Sequence, residues 1–409
     1  MNLSRNILPA VCAVFLVSCG MAREKAALYY LSKAEKIITS ESAAPADIEK
    51  AYRLMDKALR RAPSSARALV LLEELGKKAY GNGFERGGEL ETDILKEVVR
   101  VSPDNLSASL ALITVLNERG DVPSMRTFSA LLEGRASPDF PGRAYGARLL
   151  MMSCLSAMAQ WLEADGFIAL NRDAGLVQRN AADYVGVVEK IKALKSELAA
   201  EERASPALRK SVPEGLRASA EITSADVLAE KAEFEKIKAG LSLMASDAGF
   251  KKAFELTVEG NKELVKKNYS SARAFYQGAL ANYPAFVDAK KQQVEVDFQE
   301  GASLAIANEN RRSARALLLK AYQGSESVIA AGLSGGNRMP FMTTGRFMSE
   351  IYALRAAVIS AYGAVEKPGA KQRARMENNF KAALDASLKF NPNNRIAREL
   401  LERYAKEGF

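Results

Sequence analysis

The chain has 409 residues, 48% hydrophobic and 26% charged, with a net charge of +9 and no histidine. That balance suits a globular or repeat protein with ample core, and the missing histidine excludes Ser-His-Asp and Cys-His catalysis and any His-ligated metal site. The basic runs Arg209-Lys210, Lys266-Lys267, Arg311-Arg312 and Lys371 to Arg375 are short and sit among acids or alanines, so solvated helix faces are expected and a concentrated nucleic-acid patch is not.

Residues 1–18 carry one basic residue, Arg5, and then an apolar run from Ile7 to Val17. As a helix this run rises about 16 Å, short of the roughly 30 Å hydrocarbon core of a bilayer, so a signal peptide is expected rather than a membrane span. It ends in Leu16-Val17-Ser18-Cys19-Gly20, which closely resembles a bacterial lipobox. The resemblance implies cleavage before Cys19, a diacylglyceryl thioether on its thiol and acylation of the new N-terminus. A thiolate is nucleophilic enough for that bond, and two or more acyl chains hold a protein firmly. Gly20 after the cysteine, in place of Asp, implies the periplasmic face of the outer membrane by analogy with proteobacterial sorting. With residues 1–18 removed, 57 basic residues face 49 acidic ones, a net +8. Cys12 leaves with the leader, Cys19 is lipidated, and Cys154 stands alone in the apolar run Leu149 to Leu155. A buried structural thiol is expected there, and no disulfide.

From Ala22 onward nearly every segment has a helical pattern and none reads as a sheet. A helical domain over 19–200 and a second over 225–409 are expected, joined by a linker at 201–224 that holds Pro206, Pro213, Gly215 and few large apolar residues. Ser224 is a plausible first cap of the second domain. Helix-end signatures recur at Ala51-Met55-Ala58-Leu59-Pro63, Leu95-Val98-Val99-Pro103, Ala272 to Pro284, and Leu384-Ser387-Leu388-Pro392. A weaker one, Ala314-Leu318-Ala321, runs into Gln-Gly-Ser. In each the proline is expected to open the next helix, giving Ser64–Tyr80, Asp104–Arg119, Ala285–Ala307 and Asn393–Lys406. Breaks are expected at 134–143 and in the loop 331–345, whose Met339, Phe341 and Met342 either tuck onto the core or make contacts.

The stretch Phe254 to Pro284 is the most regular. Gly260, Ala272 and Ala279 place small residues where two helices approach, Tyr276 shares a face with both alanines, and Pro284 stops the helix. This resembles a tetratricopeptide (TPR) repeat, a helix pair that buries its apolar face only by stacking on neighbours. The resemblance implies an all-α protein of helical-hairpin repeats, a TPR-like α-solenoid in two halves. Spacing near 40 between Pro63 and Pro103 exceeds the family's roughly 34, and Glu91 and Phe380 stand where a small residue belongs. Repeats of this family bind partners along their first helices, which makes Phe254, Thr257, Asn261 and Leu264 the expected partner-binding residues; the alternative is that Phe254 and Leu264 pack on the adjacent helix.

Catalytic and cofactor motifs fail on inspection. Gly332-Leu333-Ser334-Gly335-Gly336 has the spacing of a nucleophile elbow but lacks a strand and a histidine. Gly81-x-Gly83 lacks the third glycine of a dinucleotide loop, Arg86 standing there. No Ser-x-x-Lys or calcium-loop run occurs. No enzyme, cofactor or metal is therefore expected. The expected function is a lipid-anchored periplasmic scaffold that docks other envelope proteins. The alternative is a non-catalytic binder of a small molecule or lipid in a cavity between the helical halves.

Overall fold

The computed structural model describes residues 7–40, 43–136, 141–229, 231–307, 310–334 and 338–408, with side chains from residue 23 onward apart from 231 and 232. Among these residues the fold is all-α. Seventeen helices, one 3-10 turn and no strand are present, and sequence neighbours pack as helical hairpins. The chain forms two compact units, one of Met1–Trp161 with Val187–Ala229 and one of Leu162–Gly186 with Glu230–Phe409.

The first unit contains α1 (Ile7–Ile38), α2 (Pro45–Leu59), α3 (Ala66–Gly81), α4 (Gly87–Val101), α5 (Leu106–Glu118) and α6 (Val122–Arg135). It also takes the front of α7 (Pro141–Ala169), the rear of α8 (Ala174–Ala204), the 3-10 turn Pro206–Lys210, and α9 (Glu214–Ala229). The signature residues point inward as their helical spacing requires. Ala51, Met55, Ala58 and Leu59 are at most 1% exposed, and Leu95, Val98 and Val99 are also buried.

The prolines act differently from the sequence expectation. In all four places the carbonyl before the proline accepts a hydrogen bond from the residue three positions on: Ser65 to Ala62 (3.1 Å), and Asn105 to Ser102, Phe286 to Tyr283 and Asn394 to Asn391 (each 3.0 Å). The proline thus occupies the second place of a β-turn, which its fixed φ suits. The following helix starts two residues later than expected, at Ala66, Leu106, Val287 and Arg395. Ser65, Asn105 and Asn394 cap three of these helices by accepting the N–H of Ala68, Ala108 and Ala397. Asn105 also donates to the Pro63 carbonyl at 2.7 Å, tying one turn to the next.

Glu91 fills its site without breaking the pairing, because Gly76 faces it. A Cβ on Gly76 would lie 2.3 Å from the Glu91 carboxyl. Burial, and then repulsion from Glu118 and Glu73, pushes this carboxyl up to about 7. A carboxyl whose pKa is higher folded than unfolded holds its proton in the fold, so its contribution is complete below the unfolded value and is lost as pH rises from about 4.5 to about 7. A shift of that size corresponds to about 3 kcal/mol. Glu91→Gln is therefore expected to raise the melting temperature of the first unit at pH 7 and to flatten its decline between pH 5 and 7. An unchanged pH profile would contradict this.

The break at 134–143 falls between the end of α6 and the start of α7, with residues 137–140 outside the described set. From Ala144 to Ala159, α7 is buried almost all round, as a helix apolar on every face must be. The rear of α8 is fastened to it by Arg148, which reaches Glu197 at 3.3 Å and Glu201 at 2.5 Å, and by the Tyr145 hydroxyl, which donates to Glu202 at 2.6 Å. Cys154 is fully buried, its thiol donates to the Met125 carbonyl at 3.3 Å, and burial pushes its pKa up to about 12. That is the inert structural thiol expected.

Residues 201–224 do not form an open linker. They complete α8, make the 3-10 turn and enter α9, whose Leu216, Ala220, Ser224 and Val227 are buried. Small residues supply half of that inward stripe, so a search for large apolar side chains misses it. Ser224 lies inside α9 and donates to the Glu221 carbonyl; it caps nothing.

The second unit contains α10 (Lys231–Ser246), α11 (Ala248–Val265), α12 (Tyr269–Asn282), α13 (Val287–Ala307), α14 (Arg311–Leu333), α15 (Thr344–Glu366), α16 (Ala370–Phe390) and α17 (Arg395–Glu407), together with residues 162–186. Ala272, Tyr276 and Ala279 are fully buried, and a Cβ on Gly260 would meet the Tyr276 ring at 2.4 Å. The close approach expected of α11 and α12 is therefore present. Ala314, Leu318 and Ala321 are fully buried too, but α14 continues through Gln-Gly-Ser to Leu333. Phe380 is accommodated by a swap of volumes, packing against Ala353, Ala356 and Ala397.

The loop after α14 tucks inward. Met339, Phe341 and Met342 are all buried, Phe341 stands edge-on to Tyr184 at 5.8 Å, and a Cβ on Gly166 would overlap its ring at 2.2 Å. Residues 335–337 lie outside the described set. These contacts place 162–186 in the second unit and shift its boundary from the expected position.

Candidate functional site

Sequence reasoning pointed first to one face of α11, and the structure corrects that. Phe254 and Thr257 are fully buried, Asn261 is 3% exposed and Leu264 is 8% exposed. The Thr257 hydroxyl is used within its own helix, donating to the Ala253 carbonyl at 2.8 Å. The Asn261 amide donates to the Leu170 carbonyl at 2.9 Å, and its oxygen accepts from the Tyr276 hydroxyl at 2.9 Å. This face is not an open groove, because residues near Leu170, 91 positions earlier, cover it. The four side chains hold the second unit together and are not free to meet a partner. The expected leader, 1–18, and the Cys19 side chain lie outside the described side chains; the backbone of α1 is helical from Ile7 through residue 19 to Ile38.

A different surface is open. The end of α15, the start of α16 and the outer turns of α17 enclose a cleft of about 400 Å³. Phe380 and Tyr404 supply its aromatic wall, with ring centroids 5.6 Å apart. Lys367, Arg373 and Arg403 line it against a single acid, Glu407. Lys367 is placed there by the end of α15, where it takes a left-handed φ of 52° and donates its N–H to the Gly363 carbonyl. Tyr404 is fixed by its hydroxyl, which donates to Glu377 at 2.5 Å. The result is a hollow with an apolar wall and an excess of positive charge, suited to a segment carrying carboxylates beside apolar side chains. Sequence patterning marked Phe380 only as a packing irregularity. Its neighbours in the cleft come from three helices, and no local motif joins them.

Perturbed titration occurs elsewhere and belongs to packing. Burial pushes Asp288 up to about 6, against a hydrogen bond from the Met339 N–H at 2.9 Å and the nearby charges of Lys291 and Arg338. Burial is the largest influence on Lys291 and opposes its charge, but Glu350 at 2.5 Å together with Glu295 and Asp288 outweighs it and leaves the pKa raised. These groups fasten the inward loop, and neither they nor Glu91 line the cleft. Among the described residues no three His, Cys, Asp or Glu side chains converge as a metal site would need, and no helix is long and apolar enough to cross a membrane. No protein-family model matches the chain, and no curated protein matches it.

Proposed function

We propose that this chain is a non-catalytic, lipid-anchored scaffold of a bacterial envelope, held through Cys19 at the periplasmic face of the outer membrane and docking protein partners. Its helical hairpins are of the TPR type. The lipobox-like run Leu16 to Gly20 supports the anchor. The docking reading is carried by the cleft at α15–α17, where three basic side chains stand around the outer edge of the packed Phe380–Tyr404 pair. An acidic segment of a partner fits it, its carboxylates meeting Lys367, Arg373 and Arg403 and its apolar side chains meeting Leu400 and Tyr404, which are only partly buried.

The test is photocrosslinking in intact envelopes, with a benzophenone amino acid in place of Ser360 on the cleft wall. A covalent adduct with a partner protein is expected. Reversing charge in Lys367→Glu/Arg403→Glu should cut its yield at least about tenfold, the scale of one or two charge-assisted contacts, with the melting temperature unmoved because both side chains are exposed. Adducts with lipid or small molecules alone, or a yield indifferent to the reversal, would overturn the docking reading and favour a small-molecule binder.

A further inference from the structure

The first helix carries a face that the fold does not use. Ala27, Leu31 and Ala34 of α1 point inward and are at most 2% exposed. Opposite them, at spacings of three and four, stand Lys25, Leu28, Tyr29, Ser32, Lys33 and Lys36, all exposed. Leu28 is 53% and Tyr29 57% exposed, so the stripe offers apolar surface as well as charge. Its acids lie on one flank: Glu24 is exposed there, and Glu35 is engaged by Arg67 at 2.7 Å. Aromatic and basic groups interleave across the hairpin: Lys33 lies 4.3 Å from the Tyr29 ring, and Arg61, just beyond α2, lies 4.8 Å from the Tyr30 ring.

Three lysines beside exposed Leu and Tyr match the boundary between anionic headgroups and water. The ammonium groups meet phosphate there while the apolar bodies sit deeper. Distance favours the same partner. Tyr30 follows Cys19 by eleven residues on one continuous helix, about 16 Å and three turns along it, so an anchor at Cys19 holds the stripe within reach of the bilayer. We propose that the outward face of α1 is a second membrane contact that lays this helix on anionic phospholipid headgroups. The proposal rests on the lipid-anchor reading above.

The full lipidated chain is reconstituted into vesicles of phosphatidylcholine, with or without phosphatidylglycerol. Ser32→Cys carries a polarity-sensitive dye, Cys154 being buried and unlabelled, and a headgroup nitroxide serves as quencher. Quenching is expected in the anionic vesicles only, fading as added salt screens it. Lys25→Ala/Lys33→Ala/Lys36→Ala should lower the ratio of docked to undocked helix about a hundredfold, roughly fivefold per lysine, with an unchanged circular dichroism spectrum. Equal quenching in neutral vesicles, or quenching that survives the triple substitution, overturns the proposal. So does a dye that answers to polyglutamate and not to vesicles, which would assign the face to an acidic protein. If the N-terminal mass shows Cys19 unmodified, the anchor reading fails separately, and binding of the unlipidated full chain to the same vesicles still decides the face.

Discussion

Tyr276→Ala is expected to destabilise the second unit by about 3–5 kcal/mol, the usual cost of emptying a fully buried aromatic site. The ring is fully buried and sits where any side chain on Gly260 would stand, so neighbouring backbone has little room to collapse into the space. The substitution also removes the hydroxyl that satisfies Asn261. Tyr276→Phe isolates that part. It leaves the packing and strands a buried amide oxygen, for about 1–3 kcal/mol. Hydrogen exchange separates the units, since amides of α11 and α12 should lose protection while those of α2 to α5 keep theirs. Equal loss in both units, or none, would show that the α11–α12 contact is not the one described.

Glu350→Ala should cost about 3 kcal/mol, the lower end of the range for breaking a buried ion pair. Lys291 is 7% exposed and its ammonium lies 2.5 Å from the Glu350 carboxylate. Without that partner the charge stays buried. Asp288 and Glu295 remain near enough to favour it, which keeps the loss from the upper end. The double substitution Lys291→Met/Glu350→Leu should recover most of the stability, because two apolar groups of similar size need no counter-charge. Urea unfolding of the single and double variants checks both values. A double variant as unstable as the single one would mean that the pair contributes more than it costs to bury.

The second helix of each hairpin was legible from the sequence because its information is local. Ala272, Tyr276 and Ala279, or Ala51, Met55 and Ala58, lie on one face at a spacing only a helix satisfies, and all are buried. The first helix was legible as apolar, with packing of Phe254 and Leu264 on its neighbour as one of two readings, but the cover over Asn261 was not. What covers Asn261 is a carbonyl 91 residues earlier, and no local pattern encodes so distant a contact. The proline turns were misplaced by two residues through a choice between two valid rules. Proline suits both the first turn of a helix and the second place of a β-turn, and the cap residues Ser65, Asn105 and Asn394 were the signal that decides. Glu91 and Phe380 looked like faults because one partner of each contact was read alone. Gly76 and a set of alanines make the room. The cleft was illegible because its basic and aromatic side chains come from α15, α16 and α17 separately.

The account of function turns on Cys19, and the intact mass of the protein extracted from its native envelope tests it most directly. The predicted mass is that of a chain beginning at Cys19, increased by a diacylglyceryl group and one further acyl chain, and Cys19→Ser should abolish the modification and the membrane association together. A chain that retains Met1, or one cleaved elsewhere with an unmodified Cys19, would contradict a lipid-anchored scaffold.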